Sequence, residues 1–521
     1  MVLIQNIFLS LDTDFSDLSA IVSDILKIKR EKILSANLFR KSIDARKKDN
    51  IRFCCSFVCE FNDATEKKLL TKNNIIKYDS QMYKWGREAK YEKRPVIIGF
   101  GPAGMFAALL LARSGLKPIV LERGQDADSR KESIKEFFAG GKLNTESNVQ
   151  FGEGGAGTFS DGKLNTGIKD IRCRTVLETF VQFGAPEKIL YEAKPHIGTD
   201  ILINVIKNIR AEIISLGGEV IFSCKAESID FSDKINSVLL NNGKKIITDN
   251  VILATGHSAR DVYHMLKDKN VEIIKKPFAV GVRIEHLQSD INNALYGKFA
   301  NHPALGAASY KLAVHLKNGR GVYTFCMCPG GQVINASSEE NGIAINGMSE
   351  STRSGVNANS AVLVGVQPED FPDDDVLAGC ELQRNIEKFA YNIGCGKVPV
   401  TTVGHLIYGD KAEFSKVFPS VKPYTVFAEL SDIFPNYIIE SLKEGILLFN
   451  EKINGFADKS AVITAPETRS SAPVRILRDE NLQCIGIKGL FPCGEGSGYA
   501  GGIVSAAVDG LKCAEKLIEN L

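Results

Sequence analysis

The spacing of apolar residues changes several times along the chain. Leu18, Ile21, Val22, Ile25 and Leu26 recur at helical intervals and predict a helix from about Phe15 to Lys27. An apolar run, Leu3 to Leu11, precedes it as a strand. Two strand-like runs follow, Ile33 to Ile43 and Ile51 to Phe61, and a second helix opens near Asp63, which can cap Ala64 to Leu70. The order β-α-β-β-α-β predicts a ferredoxin-like α+β module over residues 1–90. The polar stretch Gln81 to Arg94 reads as a linker.

From Pro95 the pattern is that of a parallel sheet. Val96 to Gly99 is a short buried strand, Pro102 to Ser114 a helix and Pro118 to Glu122 a second strand, together a minimal βαβ unit. An amphipathic helix is predicted from Asp200 to Leu216. Strands follow at Glu219 to Cys224, Ala226 to Phe231 and Ser237 to Asn241, with a turn at Asn242-Gly243 and a buried strand at Asn250 to Thr255. Residues from about 270 to 455 read as mixed α/β, and the last part returns to a strand (Gly489 to Cys493), a glycine-rich turn and a helix from Ile503 to Ile518. The predicted α/β architecture is a Rossmann-type domain split into 95–260 and 456–521, with a mixed α/β substrate domain (261–455) inserted between the halves.

Composition narrows the classes. Apolar residues make up 44% and charged residues 24%, which fits a globular chain and not a disordered one. With 64 basic and 62 acidic residues the net charge of +2 names no partner. Residues 1–94, however, hold 19 Lys and Arg against 13 Asp and Glu, and nine of those bases lie between Lys27 and Lys48. The 12 cysteines include no Cys-x-x-Cys pair, so neither a zinc ribbon nor a thioredoxin-type motif is supported, no metal is expected, and reduced thiols are. No basic residue precedes the first apolar stretch, which argues against a signal peptide. The run Val96 to Ala112 is too short and too glycine-broken to span a membrane. A cytoplasmic protein is expected.

The sharpest chemical signal is Gly99-Phe-Gly101-Pro102-Ala103-Gly104. It follows a strand, opens a helix and is answered by Glu122 at the end of the next strand. Gly99 permits the tight turn, Gly101 lets backbone approach a pyrophosphate, and Gly104 lets helix and strand pack closely. The pyrophosphate then meets free N–H groups at the helix N-terminus, and Glu122, with Arg123 beside it, reaches the adenosine ribose. FAD and NAD share this fingerprint. The distant C-terminal turn Gly494-Glu495-Gly496-Ser-Gly498-Tyr-Ala-Gly501-Gly502 decides for FAD, because too little chain follows it for a second βαβ unit. Glu495 is placed for a ribityl chain, and the helix opening at Gly501, Gly502 and Ile503 aims its positive end at a flavin ring.

Residues 99–104, the strand ending Ala254-Thr255-Gly256 and the C-terminal turn together resemble the glutathione-reductase-type FAD flavoproteins. The chain is similar over its whole length to a bacterial family of FAD-dependent dehydrogenases that carries an N-terminal extension. That similarity rests on Arg40 to Arg46, Phe151 to Lys163, Phe325 to Gly331 and Pro466 to Ser471. It implies bound FAD and a redox role without naming a substrate. It also implies that the glycine-dense loop Gly152 to Gly162, with Gly154, Gly155, Gly157, Thr158, Ser160 and Asp161, covers the flavin and pyrophosphate, and that Ala226 contacts adenine.

No second G-x-G-x-x-G follows a strand in 257–455 and no Cys-x-x-x-x-Cys lies near the first domain. A separate NAD(P)H domain and a redox disulfide are therefore not expected, although NAD(P)H can serve as a transient electron donor. Within the insert, Cys326 and Cys328 alternate along a strand and would share one face, either as a redox pair or as two small buried residues. His257 is either a proton shuttle beside the flavin or a packed loop histidine. Arg469 and Arg475 either clamp a carboxylate substrate or form structural ion pairs; Arg353 and Asn357 are weaker candidates of the same kind. The expected function is an FAD-dependent oxidoreductase passing hydride through flavin N5 to or from a small molecule. A flavoprotein acting on RNA or tRNA through the basic N-terminal module is the alternative, and a flavin sensor without turnover is a third.

Overall fold

The computed structural model describes residues 1–79 and 83–521. Its N-terminal module is a four-stranded antiparallel sheet in the order Ile33–Asp44, Arg52–Phe61, Val2–Leu9, Ile75–Lys77, with helices Leu18–Leu26 and Asp63–Leu69 in the two crossovers. Asp17 caps the first helix through the Ala20 N–H. The second is capped by Asn62, not by Asp63 as expected, because the Asn62 side chain accepts from Thr65 N. The module does not stand apart: Val2, Ile4, Phe57 and Cys59 share one apolar core with Phe278, Val280 and Ile284 of the insert. Its strand Ile33–Asp44 also meets the chain at 191–193, where Lys41 N donates to Tyr191 O at 2.7 Å and Ala193 N donates to Lys41 O at 2.8 Å.

The expected linker begins at Gln81 and Met82, which lie outside the described residues. From Tyr83 onward it has no regular structure, yet it is tied down. Tyr83 donates to Glu515 at 2.5 Å, Arg87 to Ile518 O at 3.2 Å and Tyr91 to Asp249 at 2.8 Å.

The second unit is a five-stranded parallel sheet in the order Leu490–Pro492, Val251–Leu253, Val96–Ile98, Ile119–Leu121, Glu219–Ile221. The three strands Leu490–Pro492, Val251–Leu253 and Val96–Ile98 are buried throughout, as a helix-covered parallel sheet requires, while Glu219 at the edge strand is exposed. Helices Pro102–Arg113 and Ile503–Glu519 pack closely over it. A Cβ at Gly510 would lie 2.1 Å from Ala103 O, so glycine sets their approach. A three-stranded antiparallel sheet (Ala226–Phe231, Ile235–Leu240, Lys245–Ile247) branches from this unit.

The insert is a seven-stranded sheet in which Phe278–Leu287 lies between Asn357–Val366 and Val462–Glu467. The last of these strands corrects the expected return at 456: the chain runs through the insert's sheet as far as Glu467. It then makes the strand Val474–Ile476 against Ile273–Lys275 and rejoins the parallel sheet at Leu490.

Candidate active site

One cavity of about 490 Å³ runs from the glycine turn to the insert. Gly99 has φ +100°, and a Cβ there would sit 2.4 Å from Ala254 O. Gly101, Pro102 and Ala103 line the cavity, and Gly101 faces Gly155 across it with 3.7 Å to the nearest atom a Cβ would meet. No side chain caps the helices at Gly101 or Gly502. At Gly256 and Gly501, both on the wall, a Cβ would meet nothing within 4 Å. Two uncapped helix N-termini and glycine surfaces that open into space form a cradle suited to a phosphate-bearing, planar group.

Most of the expected cofactor residues share this wall: Glu122, Arg123, Gly157, Ser160, Asp161, Ala226, Ala254, Thr255, Glu495, Gly502 and Ile503 among them. Four do not. Gly104 is the helix–strand contact, where a Cβ would meet Gly99 O at 2.0 Å. Gly154 packs against Ile206, Thr158 turns its hydroxyl to Glu153 O at 3.2 Å, and Gly494 donates its N–H to Asp509 at 2.8 Å. Glu122 has a role that its position did not suggest. Its carboxylate accepts from Phe100 N, Gly124 N and Gly152 N at 2.9–3.0 Å, pinning three loops together. A carboxylate offers about four acceptor positions, so one is left for a ribose hydroxyl.

The expected catalytic residues divide more sharply. His257 lines the cavity, with Nδ1 3.6 Å from Glu495 Oε1 and Nε2 unpartnered. Burial, then Arg469 and Arg260, pulls its imidazole down to about 3, so it is neutral and not a charged proton carrier. Glu495 is pushed up to about 7 by burial. Arg469 reaches the wall but has spent its fork: Nε and Nη2 donate to Glu387 at 3.0 and 2.9 Å and Nη1 to Ser338. Arg475 does not reach the cavity wall. It lies in the strand paired with Ile273–Lys275, its guanidinium 5.2 Å from the Tyr499 ring centroid. Asn357 donates to Glu285 at 2.9 Å and is also off the wall.

The cysteine pair does not follow regular strand alternation, yet the two thiols remain neighbours and share Lys163 and Arg283. A bulge between Phe325 and Cys328 and a φ of +43° at Cys326 break the alternation. Cys326 lines the cavity, while Cys328 is fully buried behind it and donates to Cys326 O at 3.2 Å. Buried Arg283 braces this bulge, donating to Cys326 O at 3.2 Å and to Glu467 at 2.5 and 3.1 Å. The neighbouring Cys328 thiol, then Lys163 and Arg283, hold the Cys326 thiol well below its ordinary value against burial.

Several wall residues escaped the sequence reading. Lys163, Lys194, Lys311 and Glu467 come from four separate stretches. Lys163 and Glu467 fall inside strings that carry the family resemblance, which was the available signal; Lys194 and Lys311 had none. Arg353 donates through Nε to Asp161 at 2.9 Å, and Lys163 stands 3.1 Å from the same carboxylate.

A helix-covered parallel sheet, two glycine turns meeting at one cavity and an inserted sheet closing it define the class of FAD-dependent flavoproteins. Family models agree. Residues 93–276 match "Pyridine nucleotide-disulphide oxidoreductase", residues 277–470 match "FAD-dependent protein, C-terminal domain-like", and residues 1–59 match "Domain of unknown function (DUF8436)". The chain belongs to the same family as an uncharacterized protein of Clostridium beijerinckii, 49% identical over 530 residues that cover 99% of this chain and 98% of that one. It is an oxidoreductase of the flavoprotein class, and FAD is its cofactor.

Among solved structures, CtdE in complex with FAD is 11% identical over 83% of this chain and 85% of its own, with a TM-score of 0.32. Glycine oxidase from Bacillus cereus is 12% identical over 82% and 95%, with a TM-score of 0.29. L-proline dehydrogenase from P. horikoshii is 12% identical over 83% and 92%, with a TM-score of 0.30. Likenesses this distant say nothing about substrate. Among the described residues no helix is long and apolar enough to cross a membrane.

Proposed function

We propose that this cavity holds FAD along its length and that the protein exchanges hydride between the cofactor and a small molecule entering from the insert side. When bound, FAD supplies the two-electron chemistry. The chain supplies the rest. The uncapped N–H groups of Gly101 and Ala103, either side of Pro102, receive pyrophosphate, and Arg123 and Ala226 flank the adenosine end. Glu495 takes a ribityl hydroxyl, and the helix starting at Ile503 directs its positive end at the ring. Neutral His257 orients Glu495 and holds no charge of its own. Cys326, brought forward by the bulge and by Arg283, faces the substrate space.

The observation that carries this reading is the meeting of residues 99–103, 254–257 and 501–503 on one wall. NAD(P)H acts as a passing donor in this scheme, since no second nucleotide fold is visible among the described residues. The test is anaerobic titration of the purified yellow protein with NADH and NADPH, followed by reoxidation. Bleaching of the flavin band by either nucleotide, and its return with an organic acceptor, is the expected result. A protein that stays colourless after incubation with FAD would end the proposal.

A further inference from the structure

The charges along the cavity are balanced at one end and unbalanced at the other. Near the adenosine end each cation has its carboxylate: Arg123 meets Glu146 at 2.8 Å and Asp261 at 3.0 Å, and Lys225 meets Asp261 at 2.8 Å. Toward the insert, Lys163, Lys194, Lys311 and Arg353 stand on the wall, and Asp161 is the carboxylate that serves Lys163 and Arg353 together. Glu467 is committed to Arg283, and Glu192 is shared among Lys188, Lys41 and Arg353. Lys194 has only the Ser309 hydroxyl at 3.2 Å, and Lys311 has no ion-pair partner among the described residues.

The lack of balance is felt by the groups themselves. Burial and the Arg353 charge lower Lys194, and burial with Arg353 pulls His196 down to about 4. The Lys163 ammonium is shut off from solvent without a hydrogen-bond acceptor in satisfactory geometry. A cavity mouth carrying two exposed lysines, with a solvent-shielded ammonium lacking an acceptor behind them, is arranged for an anion.

We propose that the insert-facing end of the cavity is an anion subsite that receives a carboxylate or phosphate of the substrate, with Lys194 and Lys311 as its free cations and Lys163 behind them. This rests on the reading of the cavity as the FAD site. The Arg353–Asp161 pair positions the subsite, and Asp161 holds Lys163 in its charged form. The N-terminal module takes part as well. Its Lys41 backbone holds residues 191–193, the segment that delivers Lys194 to the mouth.

The test titrates FAD-loaded protein with succinate, with inorganic phosphate and with neutral succinamide, following the flavin difference spectrum. Succinate, phosphate or both should perturb the band saturably, and succinamide should not. In the Lys194→Met/Lys311→Met double variant the anion's Kd should rise at least tenfold, about 1.4 kcal/mol, with FAD content unchanged. A response to succinate alone names a carboxylate and one to phosphate alone names a phosphate; either supports the subsite. Equal response to succinamide, no saturable anion response, or an unchanged Kd in the double variant overturns it. Loss of FAD from the double variant also overturns it, because the lysines would then serve the cofactor. Wild-type protein that cannot be loaded with FAD fails the reading beneath it, a distinct result.

Discussion

The two ends of the cavity are built from different materials. The dinucleotide end is made of backbone: Gly99, Gly101 and Gly155 bring main chain to the surface, helix N-termini offer free N–H groups, and neighbouring charges are paired off. The insert end is made of side chains delivered from distant stretches, and its charge is left open. A cofactor of fixed structure can be met by backbone geometry, which only glycine permits and which sequence therefore displays. A substrate is met by whichever side chains the topology gathers. The difference also separates the cost of breaking each end: backbone contacts fail through packing, side-chain contacts through charge.

The largest effect is expected at the joint between the ends. Arg260, at the start of the helix that follows strand Val251–Leu253, and Arg469, from the insert, both grip Glu387, at 2.8–2.9 Å and 2.9–3.0 Å. All three are buried, and the two arginines hold Glu387 far below the usual carboxylate range against burial. Glu387→Ala leaves Arg469 buried without its anion and Arg260 with Glu339 alone, and should cost about 3–5 kcal/mol in urea unfolding. A loss under about 1 kcal/mol would mean the two ends are held together by something else.

Next comes a contrast between two glycines of the same cradle. Gly104→Ala places a Cβ against Gly99 O, at 2.0 Å in the undistorted backbone, and should lower stability by about 1–3 kcal/mol whether or not FAD is present. Gly501→Leu has open space and should leave the FAD-free protein within about 0.5 kcal/mol of wild type. Its side chain fills the cradle, so FAD retained after desalting should fall at least tenfold, about 1.4 kcal/mol. If Gly501→Leu keeps its flavin, the cofactor lies elsewhere.

The same contrast explains what could be read from sequence. The βαβ unit and its answering Glu122 were legible because turn geometry, close packing and buried parallel strands each demand a residue type. The β-α-β-β-α-β order of the N-terminal module was legible in its apolar runs, but its short last strand, Ile75–Lys77, was not located. Other features depended on tertiary context. Cys326 and Cys328 are taken out of regular alternation by a bulge that neither residue type announces, with Cys326 on the cavity wall and Cys328 buried beside it. For Arg469 the sequence left a substrate clamp and a structural ion pair both open, and the fold decided for the ion pair by bringing Glu387, 82 positions away, against it. The strand Val462–Glu467 belongs to the insert because its partners, Phe278–Leu287 and Val398–Thr402, are there, which no local pattern encodes. The lysines of the open end had no motif because each comes from a separate stretch and only their meeting is informative.

The smallest effect lies at the boundary of the two ends, where Glu495 faces His257. Burial pushes the Glu495 carboxyl from its ordinary value of 4.5 up to about 7, while the imidazole stays neutral. For an acid raised on folding, the folded form keeps its proton while the unfolded chain loses it. Stability is then unaffected below about pH 4.5, falls as pH rises toward 7, and stays lower above that. The full shift corresponds to about 3 kcal/mol, and the partial exposure of the side chain reduces the cost at pH 8 to about 1–2 kcal/mol for the FAD-free protein. Glu495→Gln cannot ionise, so its advantage over wild type should be absent near pH 4.5 and grow through pH 7 in urea unfolding. Glu467 is also pushed up to about 7 by burial, but it titrates in both proteins and cancels in the difference. Parallel stability curves would place the Glu495 carboxylate in contact with water or a cation throughout. The boundary would then belong electrostatically to the open, charged end of the cavity and not to the dry backbone cradle.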